Sequence, residues 1–162
     1  METIYLGAGC FWGVEQILRK IPGITATEVG YANGITENPT YQEVCSGQTN
    51  HAEVVKLEFD PSLLSFAGVL DLFFRLHDPT TLNRQHNDIG TQYRSGIFCT
   101  NDIQIEEAKK FIAELEAAHK FSKPIVTKVE KLTNYYSAEA YHQKYLIKNP
   151  DGYMCHILKE KI

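Results

Sequence analysis

The sequence contains no apolar run approaching the roughly 20 residues that a membrane-spanning helix needs. Its first ten residues hold no lysine or arginine, so neither a secretory nor a mitochondrial leader is expected, and a cytoplasmic protein is the default reading. Basic residues are outnumbered, 16 against 20 acids, for a formal net charge of −4. That balance provides neither a basic stripe for nucleic acid nor a polybasic membrane patch. No C-x-x-C pair and no compact Cys/His cluster is present; Cys10, Cys45, Cys99 and Cys155 are widely separated, which argues against a structural zinc site. In a reducing compartment they are expected to rest as thiols, and a disulfide among them would more plausibly be catalytic than structural. Repeats, low-complexity tracts and linkers are also missing. With 43% hydrophobic and 22% charged residues the composition is that of a globular protein, so residues 1–162 are expected to form one domain, with a monomer as the plain default.

Periodicity supplies the elements. Phe11, Val14, Ile17, Leu18 and Ile21 follow helical spacing until Pro22-Gly23 stops them. Phe66, Val69, Leu70, Phe73 and Leu76 form a second apolar face that ends before Asp78-Pro79. Ile105, Ala108, Ile112, Leu115 and His119 form a third, with Asn101 or Asp102 as its cap. Strands are expected at Ile4–Ala8, Thr25–Tyr31, around Val55–Phe59, at Ser95–Cys99 and at Ile125–Leu132. The first six elements read strand, helix, strand, strand, helix, strand, the split βαβ pattern of a ferredoxin-like α/β sandwich. Residues 32–52, 78–92 and the tail from about 149 show no regular pattern. Long polar loops inside a compact domain are usually functional or disordered. A further helix-like run covers Ala138–Ile147.

Four segments carry side chains suited to chemistry. Gly9-Cys10-Phe11-Trp12-Gly13 places a thiol between an apolar strand and a helix start, where unpaired amides and the macrodipole favour a thiolate. The alternative is a buried core cysteine. Glu53 opens an apolar strand-like run, where partial burial would raise its pKa and keep a proton for general-acid work; an ordinary strand-end acid is the other reading. His51 stands two residues before it. Asn87–Ser95 resembles a loop delivering Asp88 and Tyr93 to a site, Tyr93 with a neutral hydroxyl donor. Asn149-Pro150-Asp151-Gly152 stops the preceding run and leaves Cys155 on a tail expected to move.

In chain order, Gly9–Gly13, Gly30-Tyr31-Ala32-Asn33-Gly34, Asn38-Pro39-Thr40-Tyr41, His51-Ala52-Glu53, Gly90–Ser95 and Asn149–Tyr153 resemble the A-type peptide methionine sulfoxide reductase family, which acts on methionine-S-sulfoxide. The resemblance covers nearly the whole chain. It implies that Phe11 and Trp12 hold the substrate methyl group. Glu53 would protonate the sulfoxide oxygen, Tyr41 and Tyr93 would hydrogen-bond to it, and Asp88 would help organise water and the site. Cys10 would attack sulfur and become a sulfenic acid, and Cys155 would resolve it as a Cys10–Cys155 disulfide. Thioredoxin, or dithiothreitol in vitro, would reduce that disulfide, with no bound cofactor or metal. Oxidised proteins and methionine-S-sulfoxide are the implied substrates.

Two features depart from the pattern. Met154 intervenes between Tyr153 and the tail thiol, where many relatives place that thiol directly after the tyrosine. A second tail cysteine that relays the disulfide in some relatives has no counterpart here. Cys45, four residues after Tyr41, is the reserve resolver, and Cys99 a spectator. Two rival readings stand beside this one: a cysteine hydrolase or acyltransferase with His51 as base, and a binding module whose thiols are incidental.

Overall fold

The computed structural model describes residues 1–162. Its centre is a six-stranded mixed sheet, and the expected α/β class is what forms. β1 (Glu2–Ala8) lies between β3 (Ala52–Phe59) and β6 (Ser95–Cys99), antiparallel to both. β2 (Ile24–Ala32) pairs antiparallel with β3, Tyr31 opposite Glu53. Between β3 and β6 run a two-residue hairpin, β4 (Arg84–Gln85) and β5 (Asp88–Ile89). β7 (Lys128–Lys131) adds to one edge of the main sheet, parallel to β6. β8 (Tyr135–Ser137) closes the other edge against β2. The full order is β7-β6-β1-β3-β2-β8.

Alternation along β1 explains the layers. Ile4, Leu6 and Ala8 face a core shared with α1 (Phe11–Leu18), α3 (Phe66–Leu76) and α4 (Asp102–Ala117), while Tyr5 faces the other way onto Ala52, Val54 and Phe98. α3 begins where Ser65 Oγ accepts from Gly68 N–H at 3.0 Å, and α4 where Asn101 Oδ1 accepts from Gln104 N–H at 2.9 Å. α1 stops at Leu18, one turn earlier than its apolar spacing suggests, and Gly23, with φ +96°, carries the turn into β2.

Three expectations need correction. The segment before Ala52 contains a short helix, α2 (Tyr41–Cys45), started by a capping box in which Thr40 and Glu43 bond each other's backbone N–H. The segment after Asp78 contains the β4–β5 hairpin. Ala138–Ile147 is not one helix: a 3-10 turn at Ala140–His142 and a single helical turn, α5 (Tyr145–Lys148), flank Lys144 in a left-handed conformation, φ +54°. Tertiary partners displace the helical ladder there. Lys144 gives its N–H to Glu15 Oε1 at 2.8 Å and its ammonium to Glu15 Oε2 at 2.7 Å and to the Thr27 carbonyl. Gln143 bonds both backbone groups of Val29.

Glu15 is therefore the buried tie between α1 and the segment that leads to the tail, and Thr27 Oγ1 donates to it as well. Glu15→Ala is expected to cost about 3 kcal/mol, because it removes the shared acceptor of the Lys144 N–H, the Lys144 ammonium and the Thr27 hydroxyl. A urea midpoint unchanged from the wild type would show that water replaces these partners without penalty.

Candidate active site

Cys10 follows β1 and is the residue that caps α1, as the segment's composition suggests, but its side chain makes no capping bond. It is 6% exposed. Burial, then the charge of Glu53, raise the thiol well above its usual value, and the Trp12 backbone N–H offsets only part of this. The expected thiolate is thus corrected for the substrate-free protein: desolvation and a facing acid outweigh the helix amides. A thiol at this position needs its proton removed in the reaction.

Glu53, on β3, lies beside it, 1% exposed. Its Oε1 accepts from the Phe11 N–H at 3.2 Å, and its Oε2 is buried with no partner. Burial, with a smaller contribution from Asp88, raises the carboxyl to about 8 against the lowering effect of the Phe11 amide. Glu53 is therefore a neutral acid at pH 7, its unpartnered oxygen available to an oxygen-bearing ligand.

The tyrosines arrive from two loops. Tyr41 opens α2, its ring 6.4 Å from both Phe11 and Trp12 and 4.3 Å from His142. Tyr93 ends the 3-10 turn Thr91–Tyr93. Burial first, and then the charge of Glu53, raise both hydroxyls, so each stays protonated and able to donate. Phe11 is buried against Tyr31, whereas Trp12 is partly exposed. Trp12 is fixed on two sides: its Nε1–H donates to His142 Nδ1 at 2.9 Å, and its ring stacks on Tyr145 at 3.8 Å and 11°.

Asp88, on β5, faces the tail. Its Oδ2 accepts from Tyr153 Oη at 3.2 Å and stands 3.6 Å from Cys155 Sγ. Cys10 and Cys155 are both free thiols, and the charge of Asp88 adds to the effects that raise Cys10. The tail is irregular, as expected, yet it is held rather than loose. His156 is 3% exposed with Nε2 2.6 Å from the Ala8 carbonyl, and Arg75 and Lys159 exchange two hydrogen bonds. Cys45, at the end of α2, is an exposed free thiol. Cys99 is in the core, 0% exposed.

His51 is not at the thiol. Its Nδ1 accepts from Gly34 N–H at 3.0 Å and its Nε2 faces the Thr36 carbonyl at 2.8 Å, so both nitrogens are spent on holding the loop before α2. That placement removes the base that a cysteine hydrolase would require. Sequence reasoning missed His142, Tyr145 and His156. Each acts through a partner 130 or more positions away or through a stacked ring, and no local spacing marks such contacts.

A buried thiol facing a buried carboxyl, with two tyrosine hydroxyls raised by that carboxyl's charge, is a grouping suited to thiol chemistry. The profile described as Peptide methionine sulfoxide reductase matches residues 2–162, and the chain belongs to that family of oxidoreductases. It is 53% identical over 159 residues to a Schizosaccharomyces pombe protein named "Probable peptide methionine sulfoxide reductase", covering 96% of this chain and 94% of that one. It is 51% identical over 157 residues to a Clostridium perfringens protein named MsrA, covering 97% and 98%. The crystal structure of Mxr1 from Saccharomyces cerevisiae in reduced form superposes with a TM-score of 0.93 at 43% identity, covering 98% and 92%. Mxr1 in complex with Trx2 superposes at 0.67 and 30% identity, covering 98% and 90%. The fold thus superposes better on the reduced form than on the form in complex with Trx2. No helix is long and apolar enough to cross a membrane.

Proposed function

We propose that this protein, as a single catalytic domain and a monomer in the cytoplasm, reduces methionine-S-sulfoxide in oxidised proteins and in free form. The observation that carries the reading is the buried, unpartnered Oε2 of a Glu53 carboxyl raised to about 8, held by the amide that follows Cys10. That second oxygen has no structural partner, and protonation of a sulfoxide oxygen is a task that fits it.

With the sulfoxide oxygen in the space shared by Glu53, Tyr41 and Tyr93, the two hydroxyls donate to it and Glu53 transfers its proton. The S–O bond weakens and the sulfur becomes more electrophilic. Cys10 Sγ then bonds to that sulfur, its own proton passing to the Glu53 carboxylate. The hydroxyl moves to Cys10 as the S–S bond breaks and the sulfide departs. Atoms balance: a thiol and a sulfoxide become a sulfenic acid and a sulfide, and Glu53 ends as it began. Trp12, pinned by His142 and Tyr145, with Phe11 behind it, offers rigid apolar ring surface for the methyl group.

Cys155 attacks the sulfenic acid, giving the Cys10–Cys155 disulfide and water before further oxidation occurs. Asp88 orders this side of the site through Tyr153 and Cys155. Thioredoxin reduces the disulfide by thiol–disulfide exchange, a role supported by the yeast relative solved with Trx2. Two electrons come from two thiols and return from the reductant, so no step requires a bound cofactor.

Purified protein with dithiothreitol is expected to consume the S epimer of a methionine sulfoxide substrate and leave the R epimer nearly untouched. Epimer-resolved chromatography checks this; equal loss of both epimers, or of neither, would overturn the assignment.

A further inference from the structure

The first half of the reaction has a proton donor and two hydroxyls. The second half, disulfide formation, has a different problem: Cys155 is a poor nucleophile as it stands. Partial burial and the nearby Asp88 carboxylate raise its thiol to about 11. At pH 7 such a group is ionised to only about one part in 10,000. Something must take its proton as it attacks.

His156 is built for that position. Its ring is 3% exposed and fits beside two glycines of the Gly9–Gly13 segment. A Cβ on Gly13 would come within 2.5 Å of His156 Nδ1 and 3.0 Å of Met154 Sδ, and one on Gly9 within 3.3 Å of His156 Nε2. Side chains there would expel the ring. The extra residue Met154 thus packs on Gly13 together with His156.

Geometry fixes the tautomer. Nε2 stands 2.6 Å from the Ala8 carbonyl oxygen, which can only accept, so Nε2 carries the hydrogen. Burial lowers the imidazole, which keeps it neutral at pH 7 and leaves the Nδ1 lone pair free. That lone pair lies 3.4 Å from Cys155 Sγ. Asp88 Oδ2 is the competing acceptor, at 3.6 Å, but it already receives the Tyr153 hydroxyl, and its charge opposes a negative sulfur. The same charge favours an imidazolium.

We propose that His156 is a catalytic residue of the resolving step, its Nδ1 taking the Cys155 proton as Cys155 Sγ attacks the sulfur of oxidised Cys10. The S–S bond forms, the S–O bond of the sulfenic acid breaks, and the hydroxide leaves as water with the proton that His156 held. Two thiol-level sulfurs become one disulfide and one water is released. The anchor to Ala8, the last residue of β1, holds the ring and its neighbour Cys155 next to the strand end that leads to Cys10. The other titratable groups around the ring are Asp88, His86 and His77.

The inference rests on Cys155 being the resolver, and the test separates the two. Single-turnover reactions without reductant are followed for methionine release and, by quenched mass spectrometry, for disulfide. His156→Gln keeps a donor for the Ala8 carbonyl but removes the Nδ1 base. The ratio of the disulfide-forming rate to the methionine-releasing rate is expected to fall at least tenfold, in line with the ~10²–10⁴ typical of general base catalysis. Dimedone is expected to trap the persisting Cys10 sulfenic acid. Between pH 7 and 10 the residual step is expected to steepen toward tenfold per pH unit, as direct ionisation of Cys155 replaces the base. His156→Asn, which also lacks a base, is expected to show the same steepening and serves if the Gln variant folds poorly. A ratio at the wild-type level, or a slowed step with the wild-type pH profile, would overturn the role of His156. Disulfide formation that survives in Cys155→Ser would instead overturn the resolver assignment beneath it.

Discussion

Glu53→Gln is expected to slow methionine release by about 10²–10⁴-fold, the range for loss of a general acid, while making the protein more stable at alkaline pH. The amide can still accept from the Phe11 N–H and can still point a donor at a sulfoxide oxygen, but it has no proton to transfer. The stability gain follows from burial. The folded carboxyl titrates near 8, and an unfolded glutamate near about 4.3. Between those values the folded state holds a proton that the unfolded state has released, so wild-type stability falls as pH rises through this window. Above pH 8 the loss is complete, about 5 kcal/mol for this shift at 1.36 kcal/mol per pKa unit. The Gln variant escapes it. Urea midpoints at pH 5, 7 and 9 should show a wild-type-to-variant gap that widens with pH, and wild-type methionine release should decline above pH 8. A pH-independent gap, or a variant with wild-type release, would remove Glu53 from the proton-donor role.

That glutamate also shows what is legible in one sequence. An acid opening the apolar run Val54-Val55 belongs to a strand whose neighbours are buried, and Glu53 is buried with them. α3 was legible because its apolar face, Phe66 to Leu76, ends against Asp78-Pro79; the Ser65 cap that starts it was not read. α2 was not recognised, although Thr40-x-x-Glu43 is a capping-box signature; five residues with one buried side chain give no periodicity to read. The broken helix at Lys144 was illegible for a different reason. Its local pattern is helical, and only the distant Glu15 and Val29, which supply bonds from other elements, override it. The charge state of Cys10 has the same logic. Its position at a helix start is local and was visible, but the burial and the facing Glu53 that raise it are products of the folded sheet.

Cys155→Ser is expected to convert a cycling enzyme into one that turns over once. With thioredoxin as reductant the mutant should release a single equivalent of methionine and stall, since Cys10 is left as a buried sulfenic acid with no neighbour to condense with. Thiol counts discriminate the candidates for that neighbour. The wild type has four free cysteines, and one disulfide consumes two, so a single turnover without reductant should leave two titratable thiols. In Cys45→Ser the count should fall from three to one. In Cys155→Ser it should fall from three to two, with a dimedone adduct on Cys10. Cys45 is the serious competitor, because it ends α2, the short helix that Tyr41 opens. One observation favours Cys155 over it: Cys155 alone has an imidazole nitrogen at its sulfur, His156 Nδ1 at 3.4 Å. If the thiol count stops at two in Cys45→Ser and falls to one in Cys155→Ser, the resolving sulfur lies on α2, and the tail serves only to close the site.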